Sequence, residues 1–292
     1  MENKVSVIIP IFNSQKFLSE SIRSVLSQSY KNIEIIAIDD GSTDDSLSIL
    51  NRFKEDIIII HQKNQGLSEA LNTGIKKMTG KWFKWFSPDD ILYPNAIEEL
   101  VNFAKDKPNT IVYSNWDIID EKGRKLRTFS ETNYNNLDVF DFNVRLLDGQ
   151  QINVNTTLVP SDIVSQGTLM RKLVDPVLVD YDFFLRVGLI LQTKFLLIEK
   201  PLIKFRIHQD QLSKQKITTN LKNLEVTKQE ILSKLSKKTQ NLYLNSLKNY
   251  RKKKSITRKS MESGLKIIST LLPSSTTDKL LVFYLNKIRR KR

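Results

Sequence analysis

Three short polar clusters stand out for what their side chains can do. Residues 10–13 read Pro, Ile, Phe, Asn; residues 39–42 read Asp, Asp, Gly, Ser; residues 87–90 read Ser, Pro, Asp, Asp. An ionised carboxylate grips an N–H donor directionally, and carboxylates are the ligands a hard divalent cation prefers. Taken singly, each cluster is also an ordinary turn, because Asp, Gly, Ser and Pro are turn residues. Only two histidines are present, His61 and His208.

The elements between the clusters decide whether they meet. Residues 5–9 form an apolar, β-branched run, after which Phe17, Leu18, Ile22, Val25 and Leu26 recur at helical spacing. Residues 33–38 predict a second strand, followed by a turn at Gly41 and Ser42 and a short helix carrying Leu47, Ile49, Leu50 and Phe53. Residues 57–60 predict a third strand, 67–78 a helix and 81–86 a fourth strand, and Pro94 opens a helix through Ala104. Repeated strand–helix units imply a parallel sheet with helices on both faces, and near-continuous apolar strands agree with that double burial. Ligands of such sheets bind at the carboxyl ends of the strands. Each cluster follows a strand, so all three fall on that one rim.

Beyond residue 110 the rhythm changes. Residues 111–119 and 125–129 predict a hairpin around Gly123, and 131–150 a polar, irregular loop long enough to carry function. Residues 182–191 read as a helix and 194–198 as a strand. From about Lys216 the chain reads as helical to its end, interrupted by the basic run 251–254 and by Pro273.

Composition bounds the rest. The 292 residues are 40% apolar and 27% charged, which suits one large globular body with an appendage. No cysteine is present, so disulfides and thiolate metal sites are excluded, and a reducing compartment fits. No run approaches the 18 or so apolar residues of a membrane span, and residues 5–9, ending at Pro10, make a poor signal-peptide core. The net charge of +14 is uneven: residues 214–292 hold 21 Lys and Arg against 4 acidic residues, and the preceding 213 hold 25 against 28. A nearly neutral body (1–213) thus precedes a strongly basic extension (214–292), a pattern that points to an anionic surface as neighbour.

The ordered motifs resemble the family 2 glycosyltransferases. They are VSVIIPIFN at 5–13, IDDGSTDDS at 38–46, NQGLSEALNTGI at 64–75, FSPDD at 86–90 and LVDYDFFLR at 178–186. The resemblance covers residues 4–210 and implies a GT-A-type, Rossmann-like, mostly parallel α/β sheet with helices on both faces. It further implies an inverting transfer of a hexosyl or N-acetylhexosaminyl group from a nucleoside diphosphate sugar, with UDP favoured, to a glycan or lipid-linked saccharide. By this resemblance Asp39 accepts a hydrogen bond from the base, while Pro10, Phe12 and Asn13 line the same pocket. Asn64 and Gly66 approach the nucleotide, and Asp89 supports it. Asp90, with His208, is assigned to a Mg2+ or Mn2+ ion that offsets charge on the leaving diphosphate. Asp180 matches the catalytic base; its competing reading is an N-cap for the helix at 182–191. Asp182 and Arg186 match structural or phosphate-side positions, and His61 is read as structural. Three positions depart from the family pattern: Ser87 and Val179 stand where many relatives carry an acidic residue, and Leu71 where many carry an arginine.

The extension repeats apolar residues at helical spacing, ending in Leu281, Phe283, Tyr284, Leu285 and Ile288 before Arg289, Arg290, Lys291 and Arg292. Such a face suits an anionic membrane interface, which predicts a peripheral protein on the inner, cytoplasmic face of the cell membrane. A solvated face of helices packed on the body is the plainer alternative. Two other functions compete. A nucleic-acid binder would use the basic extension, but that charge avoids the predicted rim and carries few stacking aromatics. A sugar nucleotidyltransferase would carry a glycine-rich basic loop after the first strand, where this chain has PIFNSQK. No nucleic-acid partner is expected.

Overall fold

The computed structural model describes residues 3–150, 152–165, 169–209, 211 and 217–253. Strands β1 (Val5–Ile11), β2 (Ile33–Asp39), β3 (Ile58–His61) and β4 (Trp82–Trp85) pair in parallel in the order β3-β2-β1-β4. Helices α1 (Leu18–Leu26), α2 (Ser46–Asn51) and α3 (Leu67–Lys77) connect them. Every residue of β1 is buried, as a central strand covered on both faces requires. The core on one face gathers Val5, Val7, Ile9 and Ile11 of β1 and Ile35 and Ala37 of β2 with Leu18, Ile22 and Val25 of α1.

The chain continues through β5 (Ile91–Leu92), α4 (Ala96–Ala104), β6 (Thr110–Ile119), β7 (Lys125–Phe129), α5 (Val139–Asp148), β8 (Val159–Pro160), α6 (Ser161–Ser165), α7 (Val179–Leu189) and β9 (Lys194–Arg206). β8 joins β4 antiparallel, completing a five-stranded sheet. A second sheet has the order β5-β9-β6-β7, with β6 and β9 parallel and the outer pairs antiparallel. The expected α/β architecture, a mostly parallel sheet with helices on both faces, is what forms.

Four local expectations change. The 131–150 stretch is not loop throughout but contains α5, because Phe142, Leu146 and Leu147 are buried and outweigh the intervening polar residues. The helix expected at 182–191 starts earlier, at Val179, directly after a 3-10 turn at Pro176–Leu178. The strand expected at 194–198 runs on to Arg206 with register shifts opposite Asn115, which absorb Pro201. Helix α4 begins at Ala96, with Asn95 as its N-cap, two residues after Pro94.

The chain divides into two compact units. One comprises Met1–Asn143 with Gln150–His208; the other comprises Val144–Gly149 with Gln209–Arg292. In the second, α8 (Ile217–Ser233) and α9 (Lys237–Lys253) are helical as expected, and α9 ends within the basic run at Arg251, Lys252 and Lys253. The Arg145 guanidinium stacks 3.9 Å from the Tyr250 ring, and Arg251 donates to Asp148 at 2.9 Å. The amphipathic segment expected at 280–292 lies outside the described residues. Among the described residues no helix is long and apolar enough to cross a membrane.

Candidate active site

The carboxyl ends of β1 and β2 are laced together. Asn13, held at φ 48°, donates its N–H to Ser42 Oγ at 3.0 Å and accepts at Oδ1 from the Thr43 N–H at 2.8 Å. Pro10 is buried, while Phe12 leaves 49% of its surface exposed. Gly41 turns with φ 73°, and a Cβ there would come within 2.8 Å of the Asn64 backbone nitrogen. This close approach brings the loop carrying Asn64 against the end of β2.

Asp39 is fully buried, and both its oxygens are engaged. Oδ1 faces the Ser42 N–H at 3.3 Å, and Oδ2 lies 2.6 Å from Nδ1 of His61 at the end of β3. His61, read from the sequence as merely structural, is therefore in direct contact with the residue assigned to the base. Asp40 organises the next loop: Oδ1 accepts from Gln62 Nε2 and the Gln65 N–H, and Oδ2 from the Gly66 N–H at 2.8 Å. Gly66, at φ 92°, precedes α3, and a Cβ built on it would meet nothing within 4 Å. The space beside this backbone is therefore open. Leu71, at the position where many relatives carry arginine, is buried in α3 and contributes packing.

The two adjacent carboxylates after β4 face different surroundings. Asp89 points Oδ2 at Nε2 of His208, 2.9 Å away. Asp90 is fully buried: Oδ1 accepts from the Arg206 N–H at 2.9 Å and Oδ2 from Asn155 Nδ2 at 2.6 Å. Burial, with the charge of Asp89 adding, raises the Asp90 carboxyl well above the ordinary range against the pull of Arg206 and Asn155. Asp90, fully buried with one protein donor on each oxygen, is the less open of the two carboxylates. It anchors the turn, and Asp89 offers the carboxylate. Asn155 also accepts the Ser87 N–H at 2.9 Å, so one buried amide clamps both ends of the 87–90 turn. Arg206 spans the same corner, donating to the carbonyls of Asp89 and Glu121 and to the carboxylate of Glu20. Lys84, fully buried on β4, donates to the carbonyls of Asn155 and Thr157; burial pulls its amine down to about 7, with Asp90 opposing.

A Mg2+ or Mn2+ ion needs several ligands at one point. Among the described residues no three His, Asp or Glu side chains gather for one. Asp89 and His208 do converge. That donor set fits a hard cation drawing its remaining ligands from phosphate oxygens and water, and does not fit a cage built from protein alone.

Asp180 lies in the first turn of α7, whose N-cap is Leu178 with no side-chain cap bond, so the N-cap reading fails. The carboxylate is partly buried; Oδ1 accepts from the Tyr181 N–H at 2.7 Å and Oδ2 from Gln150 Nε2 at 2.6 Å. Burial raises its carboxyl to about 6, opposed by these hydrogen bonds. A carboxylate near that value takes a proton readily at neutral pH. Asp182, two residues further along, is fully buried between Arg171 and Arg186, which favours the structural of its two readings. Val179 is buried and contributes no charge.

Sequence reasoning missed four residues that hold this site: Asp40, Gln150, Asn155 and Arg206. Asp40 was signalled by the Asp doublet and Arg206 by its place two residues before His208. Gln150 and Asn155 gave no local signal.

Polar strand ends thus share one rim of an α/β sheet, and the Asp180 carboxylate stands on a separate helix. Glycosyl transferase family 2 matches residues 6–175, and the chain belongs to that family. An uncharacterized glycosyltransferase of Rickettsia felis is 36% identical over 217 residues, 72% of this chain and 35% of that protein. One of Rickettsia prowazekii is 35% identical over 209 residues, 71% of this chain and 65% of that protein. The chain thus spans about a third of the length of the first relative and just under two thirds of the second. A crystal structure of S. aureus TarS 1–349 in complex with UDP-GlcNAc matches with a TM-score of 0.65, covering 92% of this chain and 79% of that one at 15% identity. That likeness shows the GT-A-type fold.

Proposed function

We propose that this chain is an inverting glycosyltransferase that moves a hexosyl or N-acetylhexosaminyl group from a UDP-linked donor to a hydroxyl of a glycan or lipid-linked saccharide. The observation that carries the reading is the Asp180 carboxylate, set in the first turn of α7 with its proton affinity raised towards neutral. The acceptor oxygen attacks the anomeric carbon as Asp180 takes its proton. The carbon–oxygen bond to the diphosphate breaks, and the nucleoside diphosphate leaves with the electron pair. Attack from the face opposite the leaving group inverts the anomeric centre. Binding of UDP and UDP-GlcNAc by TarS, a protein of the same fold, supports a UDP-linked donor. Asp39, with Pro10, Phe12 and Asn13, holds the base, and the open space beside the Gly66 backbone, on the loop that also carries Asn64, admits the rest of the nucleotide. Asp89 and His208 would hold Mg2+ or Mn2+, which when bound supplies positive charge beside the diphosphate. Asp90, Asn155 and Arg206 keep that turn in place.

Thermal-shift screening of UDP-, GDP- and dTDP-sugars with and without Mn2+ tests the donor and the ion together. A donor at a hundredfold excess over Kd stabilises by about 2.7 kcal/mol. UDP-sugars raise the Tm, Mn2+ enlarges the rise, and Asp89→Ala loses the Mn2+ increment alone. A response to every nucleotide equally, or an increment that survives both Asp89→Ala and His208→Ala, is incompatible with this assignment.

The basic extension supports a second part of the proposal, docking on the anionic inner face of a membrane. α9 ends in Arg251, Lys252 and Lys253 and leaves Leu242 and Leu244 exposed. Basic residues near such a surface contribute about 1 kcal/mol each. The full chain sediments with vesicles containing anionic lipid and not with zwitterionic ones; retention on DNA instead of vesicles would transfer the tail to the nucleic-acid reading.

A further inference from the structure

We infer that Gln150 is a positioning residue for the base: its side-chain amide, anchored on a backbone carbonyl, holds one oxygen of the Asp180 carboxylate. The inference rests on Asp180 being the base. Gln150 Nε2 donates to Asp180 Oδ2 at 2.6 Å and to the Ile152 carbonyl at 3.0 Å. Both partners accept only, so the amide orientation is determined; flipped, its carbonyl oxygen would face two acceptors. Asp180 Oδ1 is held by the Tyr181 N–H at 2.7 Å. The carboxylate is therefore gripped at both oxygens and cannot turn about its bond to Cβ without losing a donor. Each carboxylate oxygen can accept twice, so capacity remains for an acceptor hydroxyl.

The grip also sets the charge state. A donor favours the ionised carboxylate, against the burial that disfavours it. What acts on Asp180 is burial, the Gln150 amide and backbone N–H groups at the start of its own helix, with no charged side chain among the described residues contributing. Gln150 is exposed and stands at the end of the 131–150 stretch. A sequence position 30 residues from the base thus governs when the base is ready.

The test uses the full chain with 13C-carboxyl aspartate, the Asp180 resonance being the one lost in Asp180→Asn. Gln150→Met keeps the side-chain length and removes both N–H donors. We expect the Asp180 titration to move up by about one pH unit, a tenfold change in its acid constant, and further in Gln150→Glu, where a second carboxylate faces the first. The acid limb of kcat/KM for transfer, measured with the donor chosen by thermal shift, follows by the same amount, while rates above pH 8 converge with the parent. A role in loop packing alone would lower the rate equally at every pH. An Asp180 titration unchanged in Gln150→Met overturns the inference. Full transfer by Asp180→Asn instead overturns the assignment of the base, a distinguishable result.

Discussion

Asp180→Asn lowers the rate of sugar transfer by about 10²–10⁴-fold while the protein folds and binds its nucleotide as before. The loss follows from the amide having no basic oxygen to take the acceptor proton. Folding survives because Asp180 is not the N-cap of α7, and Asn matches its shape. In the parent, kcat/KM falls tenfold per pH unit below about 6, where the carboxyl becomes protonated. The same shift acts on stability with the opposite sense for function. The folded carboxyl, at about 6, binds its proton more tightly than the unfolded one at 3.8. The native state is therefore favoured at low pH, and that contribution is lost as pH rises from 3.8 through about 6. Above that window Asp180→Asn relieves a cost on the order of 1 kcal/mol and is at least as stable as the parent. Melting curves at pH 5 and pH 8 beside a transfer assay measure both. A variant that folds and transfers at the parental rate removes Asp180 from the chemistry.

Asp182→Ala does the reverse: it unsettles the fold before it touches the reaction. Asp182 is fully buried and accepts from Arg171 Nε at 2.9 Å and from Arg186 Nε at 2.7 Å. Arg186 is itself nearly buried and also donates to the Leu169 carbonyl. Removing one partner of a buried pair typically costs roughly 3–5 kcal/mol, because the other charge is left without compensation. That is a large part of a total stability of about 5–15 kcal/mol. The segment carrying Met170 and Arg171 is also fixed to α3, through paired bonds between Asn72 and Met170 and a bond from Ser68 to the Arg171 carbonyl. Freeing Arg171 loosens the chain that leads to Asp180. We expect the Tm to fall by about 10 °C, with activity lost in proportion to unfolding. A Tm within 2 °C of the parent would falsify the role given to this triad.

Much of the fold was legible because its signals are local. β-branched runs bounded by turn residues set β1 to β4, and their alternation with helical periods set the parallel order. α5 was hidden because polar residues interrupt its apolar positions, and its helicity shows only once Phe142 packs on Phe195, ring centroids 5.0 Å apart. β9 was cut short at residue 198, where its apolar run gives way to Glu199, Lys200 and Pro201; register shifts opposite Asn115 let the strand continue.

The site divides the same way. The sequence by itself determined the family, the sheet and the rim on which Asp39, Asp89 and Asn64 would fall, because strand ends and turn chemistry are written in neighbouring residues. Only the tertiary structure decided that Asp90 turns inward while Asp89 meets His208, that His61 touches Asp39, and that Gln150 holds Asp180. Side chains adjacent in sequence leave the backbone in different directions, and their partners lie 22 to 119 residues away. Which oxygen is exposed and which is spent depends on those distant contacts, and no local pattern records them.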